Sequence, residues 1–323
     1  MPSSRSASRT SAGSRADPER VMATPVAARL GYWLSAIRPR TLPVAVVPVL
    51  VGKTLALHDL GSLSVPVALG ALLAALLVQV ATNLHNDVAD FERGADDPGT
   101  RVGPRRATAE GWISPTAVRR GAVLAFSGAG ALGLWLAWVG GWPVIAIGAA
   151  SIACAWAYSG GARPIAYSSL GEFFVWLFFG VVAVAGSYYL QAGRFDAVAL
   201  AAGAVLGLPA AAVLVVNNHR DRDNDRRAGR RTFAVVHGPR ASEIEYGVLM
   251  LLPFLLLLPA AIAGGPGWLV PLLAAPWAVV LVRRFVTAPD PAVLNRLLAD
   301  TARHQVLFGL FLCVGIYAGG LRG

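Results

Sequence analysis

Charge is scarce in this chain. Only 14% of its 323 residues are Asp, Glu, Lys or Arg, where soluble globular proteins carry about 25%, and 55% are hydrophobic. An ordinary water-soluble domain of this length is therefore excluded, and the mean hydropathy of +0.57 agrees. Cysteine is nearly absent as well. Cys154 and Cys313 lie far apart inside apolar runs, which excludes a disulfide framework or a cysteine metal site and leaves them as packing residues. Acidic residues number only 18, giving a net charge of +10. No basic folded region lies outside the apolar runs, so nucleic acid is not expected as a partner and the lipid bilayer is.

Long apolar segments are what the chain has in quantity. A hydrocarbon core about 30 Å thick takes roughly 20 residues of helix, and nine segments approach that length: 42–57, 63–83, 121–139, 143–159, 171–191, 197–216, 246–263, 267–282 and 304–321. In lipid only helices and closed barrels satisfy their own backbone, and these segments are continuous rather than alternating. The expected fold is an all-α integral membrane protein, with about nine transmembrane helices in one bundle around a central cavity. Pro43, Pro48, Pro143, Pro209, Pro253, Pro271 and Pro276 fall within or at the ends of these segments, and the kinks they impose make room for that cavity. Residues 1–30, rich in Ser, Ala and Arg, are expected to form a disordered tail, with the membrane domain over 31–323. The tail is similar in composition to a transit peptide, but a flexible tail, or a start at Met22, is the preferred reading.

Nearly all of the 28 basic residues fall on one side when alternate loops are assigned. The positive-inside rule makes that side cytoplasmic, in a cell's inner membrane, with the N-terminus inside and the C-terminus outside. The same side carries two acidic clusters, Asn86-Asp87-Val88-Ala89-Asp90 and the run from Asn217 to Asp225, which share the pattern Asn-x-x-x-Asp. Carboxylates at the end of a membrane helix are costly to desolvate. One such cluster alone is better explained by capping or by pairing with neighbouring arginines. Two of them, at the ends of spans four apart, point to duplicated helical units meeting at a shared site.

On a helix, Asn86 and Asp90 lie one turn apart on one face, as do Asn217, Asp221 and Asp225. Oxygen ligands without a His or Cys pair favour a hard cation. Mg2+ binds through one or two carboxylates and substrate phosphates, so the two clusters predict magnesium holding a diphosphate between them. His85 and His219 stand beside the clusters without a second histidine at metal spacing and are expected to be structural. Arg101, Arg105 and Arg106 follow the first cluster, and Arg226, Arg227, Arg230 and Arg231 the second, where guanidinium groups can bind phosphate oxygens in pairs.

Several strings carry a family resemblance: Arg38-Pro39-Arg40-Thr41-Leu42-Pro43, Asn83 through Asp96, Arg101-Val102-Gly103-Pro104-Arg105-Arg106, Tyr158-Ser159-Gly160-Gly161, Leu170-Gly171-Glu172-Phe173 and Asn217 through Thr232. In that order they resemble the UbiA-type intramembrane prenyltransferases, and among them the branch acting on 1,4-dihydroxy-2-naphthoate. The resemblance covers about residues 35 to 321. It implies transfer of a polyprenyl group from polyprenyl diphosphate to an aromatic acceptor, with loss of CO2 and diphosphate. It also implies that Asn86, Asp90, Asp221 and Asp225 are the catalytic, Mg2+-holding residues. Asn83, Asp87, Arg101, Arg105, Tyr158, Arg163 and Asn217 match segments that bind substrate or close the site, and Glu172 matches a further family position. Where the wider superfamily has one more Asp, this chain has Gly94, so either Asp87 or Asp96 completes the first cluster.

Charge stabilisation of the leaving diphosphate would let the allylic C–O bond ionise toward a cation captured by an electron-rich ring. Trp176, Phe173, Phe174, Phe178, Phe179 and Tyr188 are candidates to line the chamber that shields it. A UbiA-type enzyme with another acceptor (4-hydroxybenzoate, homogentisate or a sugar phosphate) is the second reading. A secondary transporter is the third; its carboxylates would sit near the bilayer midplane rather than at helix ends.

Overall fold

The computed structural model describes residues 26–319 apart from 97, 98, 100 and 289. Most of the expected N-terminal tail, Met22, and Asp97 next to Asp96 lie outside these residues. Ten helices follow in order: α1 Val26–Ile37, α2 Leu42–Leu60, α3 Val65–Glu92, α4 Pro115–Gly140, α5 Trp142–Ser159, α6 Gly171–Ala192, α7 Ala197–Arg227, α8 Phe233–Gly264, α9 Pro266–Val286 and α10 Pro291–Gly319. With α1 and α2 taken together as one broken span, the described residues contain nine helical stretches long and apolar enough to cross a membrane. The chain is a multi-pass membrane protein.

Helix α1 begins at Val26, so the boundary expected at residue 30 falls inside a helix. The helix is anchored beyond that boundary, where Tyr32 stacks on Trp112 at 5.1 Å and Ala36 is buried, while Val26 and Leu30 in its first turns are exposed. The break after α1 occurs at Arg38, whose φ of 57° is the only positive value outside glycine among the described residues. Such a backbone is unfavourable for a residue with a Cβ; Pro39 keeps Arg38 from continuing α1, and the Thr41 hydroxyl and amide both donate to the Arg38 carbonyl at 3.0 Å.

Packing is uneven across the bundle. Leu206, Tyr246, Met250, Leu281, Phe308 and Leu312 are wholly buried in a core shared by α2 and α6 to α10. Helices α6 and α7 come into backbone contact, where a Cβ on Gly180 would meet the Gly203 carbonyl oxygen at 2.5 Å and one on Gly207 would meet the Trp176 carbonyl oxygen at 2.6 Å. Gly203 and Gly207 form a Gly-x-x-x-Gly pair, the pattern by which membrane helices come into backbone contact. Helix α6 widens to a π-helical turn over Leu177–Val182 at this crossing. Of the prolines expected to kink helices, Pro48, Pro209 and Pro253 are internal to α2, α7 and α8, whereas Pro43 and Pro143 sit at helix starts, where no hydrogen bond is lost.

On the other side, α3, α4 and α5 meet the rest of the bundle across open space. Alanine and glycine line it: Ala71 and Ala75 on α3, Gly130 and Gly133 on α4, Gly148 and Ala149 on α5. The result is a cavity of about 1020 Å³, with polar groups gathered at one mouth.

Candidate functional site

Two helices carry the polar mouth. Along α3, Ala71, Ala75, Val78, Thr82, Asn86 and Asp90 recur every three or four residues and face the cavity, so one helix face changes from apolar to acidic along its length. On α7, Ala210, Leu214, Asn217, Asp221 and Asp225 make the same change. Both helices run well past their apolar segments, to Glu92 and Arg227, and this keeps the clusters helical.

Both also stop in the same way. At the end of α3, the Ala95 amide donates to the Asp90 carbonyl at 2.9 Å and the Gly94 amide to Phe91 at 3.0 Å. At the end of α7, the Arg230 amide donates to Asp225 at 2.8 Å and the Gly229 amide to Arg226 at 3.2 Å. These are matching Schellman turns, with Gly94 at φ 68° and Gly229 at φ 73° in the left-handed region where glycine is favoured. In this register Asp90 corresponds to Asp225, and the Asn-x-x-x-Asp repeat seen in sequence is offset by one helical turn. Gly94, standing where a further acid was sought, is the residue that ends the helix.

The first cluster is a network. Asn86 Oδ1 accepts from Arg38 at 2.7 Å and from Arg106 at 3.0 Å, while Asn86 Nδ2 donates to Asp90 Oδ2 and Ser159 Oγ, each at 3.0 Å. Asp96 is buried, pairs with Arg101, and lies 3.2 Å from Arg106 Nε. Burial pushes the Asp96 carboxyl up to about 6, against the opposing pull of Arg101. In the second cluster, Asp221 accepts two bonds from Arg220, at 2.8 and 2.6 Å, and Asn217 Oδ1 accepts a third at 2.8 Å. Arg220 is tied in turn to Asn295, which donates to the Val102 carbonyl. Thus α10 and the 101–106 loop are fastened to α7.

One cation joins the clusters. Arg230 Nη2 is 2.5 Å from Asp90 Oδ1 and Arg230 Nη1 is 3.5 Å from Asp225 Oδ1. Burial disfavours its charge, but Asp90 and Asp225 outweigh that and raise its pKa. Asp225 Oδ2 is buried without a hydrogen-bond partner. Among the described residues, no three of His, Cys, Asp and Glu form a metal-binding group by themselves. The donors therefore fit a magnesium ion in one particular way: oxygen-only, one or two carboxylates per ion, with the remaining ligands from a phosphate or water.

The other expected residues divide between cavity and scaffold. Asn83, Arg101, Arg105, Tyr158 and Asn217 line the cavity with Asn86, Asp90, Asp221 and Asp225. Asn83 also donates to the Ile37 carbonyl at 2.8 Å, fixing the break after α1. Asp87 is not brought to the cavity: it is 1% exposed and accepts from the Thr108 amide at 3.1 Å, the Ala107 amide at 3.3 Å and the Thr108 hydroxyl. Of the two acids left open for the first cluster, only Asp96 lines the space. Arg163 is exposed and also stands off the lining. Glu172 lies behind it, accepting from cavity-lining Asn218 at 2.7 Å.

Of the six aromatic candidates on α6, Phe174, Phe178 and Phe179 line the cavity. Trp176 instead donates to the Ala204 carbonyl, and Tyr188 to Asp59 at 2.6 Å. Cys154, read as a packing residue, lines the cavity. His85 stacks on Trp156 and His219 shares a hydrogen bond with Ser242, both away from it. Arg106 and Arg230, expected as phosphate-binding arginines, engage the acidic clusters instead, and they are joined by Arg38 and Arg220, which only the quoted strings contain. Which arginines point inward depends on the turns that carry them, and periodicity does not report that.

The sequence pattern described as "UbiA prenyltransferase family" matches residues 45–312. The chain is 39% identical over 255 residues to the 1,4-dihydroxy-2-naphthoate octaprenyltransferase of Mycobacterium tuberculosis, covering 78% of this chain and 82% of that one. It is 34% identical to the Escherichia coli protein of the same description, covering 90% and 96%. Among solved structures, a UbiA homolog from Archaeoglobus fulgidus bound to DMAPP and Mg2+ has a similar fold, with a TM-score of 0.63 at 14% identity, covering 87% of this chain and 99% of that one.

Proposed function

Because this chain belongs to the UbiA prenyltransferase family, we propose that it transfers a polyprenyl group from a polyprenyl diphosphate to 1,4-dihydroxy-2-naphthoate, with loss of CO2 and diphosphate, giving demethylmenaquinone for menaquinone biosynthesis. The relatives' descriptions support the acceptor. The observation that carries the reading is the meeting of Asp90 and Asp225 on a single guanidinium at the mouth of a deep apolar cavity. That mouth would bind the anionic head, and the cavity the isoprenoid tail. Carboxylates at helix ends among arginines suit a phosphate substrate better than a transported ion.

Asn86, Asp90, Asp221 and Asp225 would hold Mg2+, which when bound neutralises the diphosphate and favours its departure. Arg101 and Arg105 add guanidinium donors for the phosphate oxygens. Asn83 and Asn217 fix the backbone and the Arg220 clamp around the head, and Tyr158 offers a hydroxyl to either substrate. Phe174 and Phe178, stacked at 6.3 Å, present ring faces to an allylic cation, and the alanine and glycine walls keep water from it. The acceptor approaches from the polar mouth. By arginine distribution that mouth is cytoplasmic, in the inner membrane, with the N-terminus on the same side.

The test is purified protein with Mg2+, a polyprenyl diphosphate and a panel of acceptors. Naphthoate is expected to give a lipophilic quinol and released CO2. Turnover with 4-hydroxybenzoate or homogentisate alone would replace the acceptor. Asp90→Asn and Asp221→Asn should each lower turnover by about a thousandfold or more while the protein still inserts and folds.

A further inference from the structure

Arg230 occupies the place between the two motifs where a cation is needed, and three features fix it there. The Schellman turn ending α7 ties its amide to the carbonyl of Asp225, so its backbone cannot leave that acid. Its guanidinium lies over the Tyr167 ring, 4.7 Å from the centroid, and the Tyr167 carbonyl accepts from the Arg231 amide at 3.0 Å. Its Nη atoms face Asp90 and Asp225, while its Nε, buried, has no hydrogen-bond partner. One donor is therefore held in reserve. The oxygens that Arg230 engages, Oδ1 of Asp90 and Oδ1 of Asp225, are the ones a metal ion between α3 and α7 would also need.

Resting on the reading of Asp90 and Asp225 as magnesium ligands, we propose that Arg230 is a built-in counter-ion that competes with the metal: it pairs with both acids when no ion is bound, with Arg106 also facing Asp90 at 3.7 Å, yields their oxygens when one enters, and turns to the diphosphate. Two buried carboxylates from different helices would repel each other without a cation between them. A tethered guanidinium supplies that cation at all times, so the site can empty after each turnover without its helices parting. When displaced, Arg230 keeps the Tyr167 ring face, and its free Nε–H can meet a phosphate oxygen.

The test is Mn2+ binding to the full-length protein in detergent, followed by the ion's magnetic resonance signal, with and without inorganic diphosphate. Without diphosphate, Arg230→Gln should bind Mn2+ about tenfold more tightly than the unaltered protein, because a competing charge has gone. Its metal-free melting temperature should fall, and Mn2+ should restore it. With diphosphate present the affinity gain should shrink or reverse, since the phosphate then lacks a partner. Unchanged or weaker Mn2+ binding by Arg230→Gln without diphosphate would overturn the proposal, provided Asp90→Asn abolishes binding. If Asp90→Asn and the unaltered protein bind alike, the ligand assignment itself fails. Should Arg230→Gln not fold, Arg230→Gln with Asp225→Asn decides: recovery of folding supports a counter-ion, and continued failure shows a packing role on Tyr167.

Discussion

Asp87 and Asp90 lie three residues apart on α3, yet the structure gives them different tasks, and Asp87→Ala separates the two. Asp87 accepts from two backbone amides and one hydroxyl of residues 107–108. Hydrogen bonds to a buried charged acceptor are worth about 1.5–3 kcal/mol each, and a buried donor left unpaired costs about 1–3 kcal/mol. The Thr108 hydroxyl can rotate toward another acceptor, whereas the two amides cannot. The substitution should therefore destabilise the protein by roughly 3–5 kcal/mol, a melting temperature lower by about 10 °C. Residues 107–108 close the loop carrying Arg101 and Arg106, which engage Asp96 and Asn86. Loosening that loop should raise the KM for the diphosphate substrate by about tenfold, with kcat less affected. Thermal melting, Mn2+ titration and steady-state kinetics on one preparation are the assays. Asp87→Ala that abolished Mn2+ binding with an unchanged melting temperature would make Asp87 a metal ligand and refute the anchoring role.

Two further substitutions probe the cavity and its walls. Gly207→Ala puts a methyl 2.6 Å from the Trp176 carbonyl oxygen and 3.0 Å from Gly180 Cα, atoms of backbone that cannot swing aside; it should cost about 1–3 kcal/mol of stability, read as earlier unfolding in detergent. Gly148 lines the cavity, and a Cβ on it meets nothing within 4 Å. Gly148→Leu should therefore leave folding intact and lower kcat/KM for long isoprenoid diphosphates by about tenfold relative to short ones. Equal loss across all lengths would mean that the tail does not run past α5.

The apolar segments alone determined that this is a helical membrane protein, because only helices of that length hide their backbone in lipid. The Asn and Asp spacing determined which faces of α3 and α7 are acidic, since residues four apart on a helix share a side. Segment ends were harder to read: both acidic clusters prolong helices whose apolar stretches had already stopped, and α1 is anchored by packing on Trp112. Only the tertiary structure decided what each charged group does. Asp87 faces a turn distant from it in sequence, Asp90 faces a cavity, and Arg230 rather than its neighbours Arg226 and Arg227 bridges the motifs. A side chain's partner depends on which turn folds back against it, and that is set by Schellman caps at Gly94 and Gly229 and by contacts across the bundle. Periodicity within one helix carries no record of those contacts.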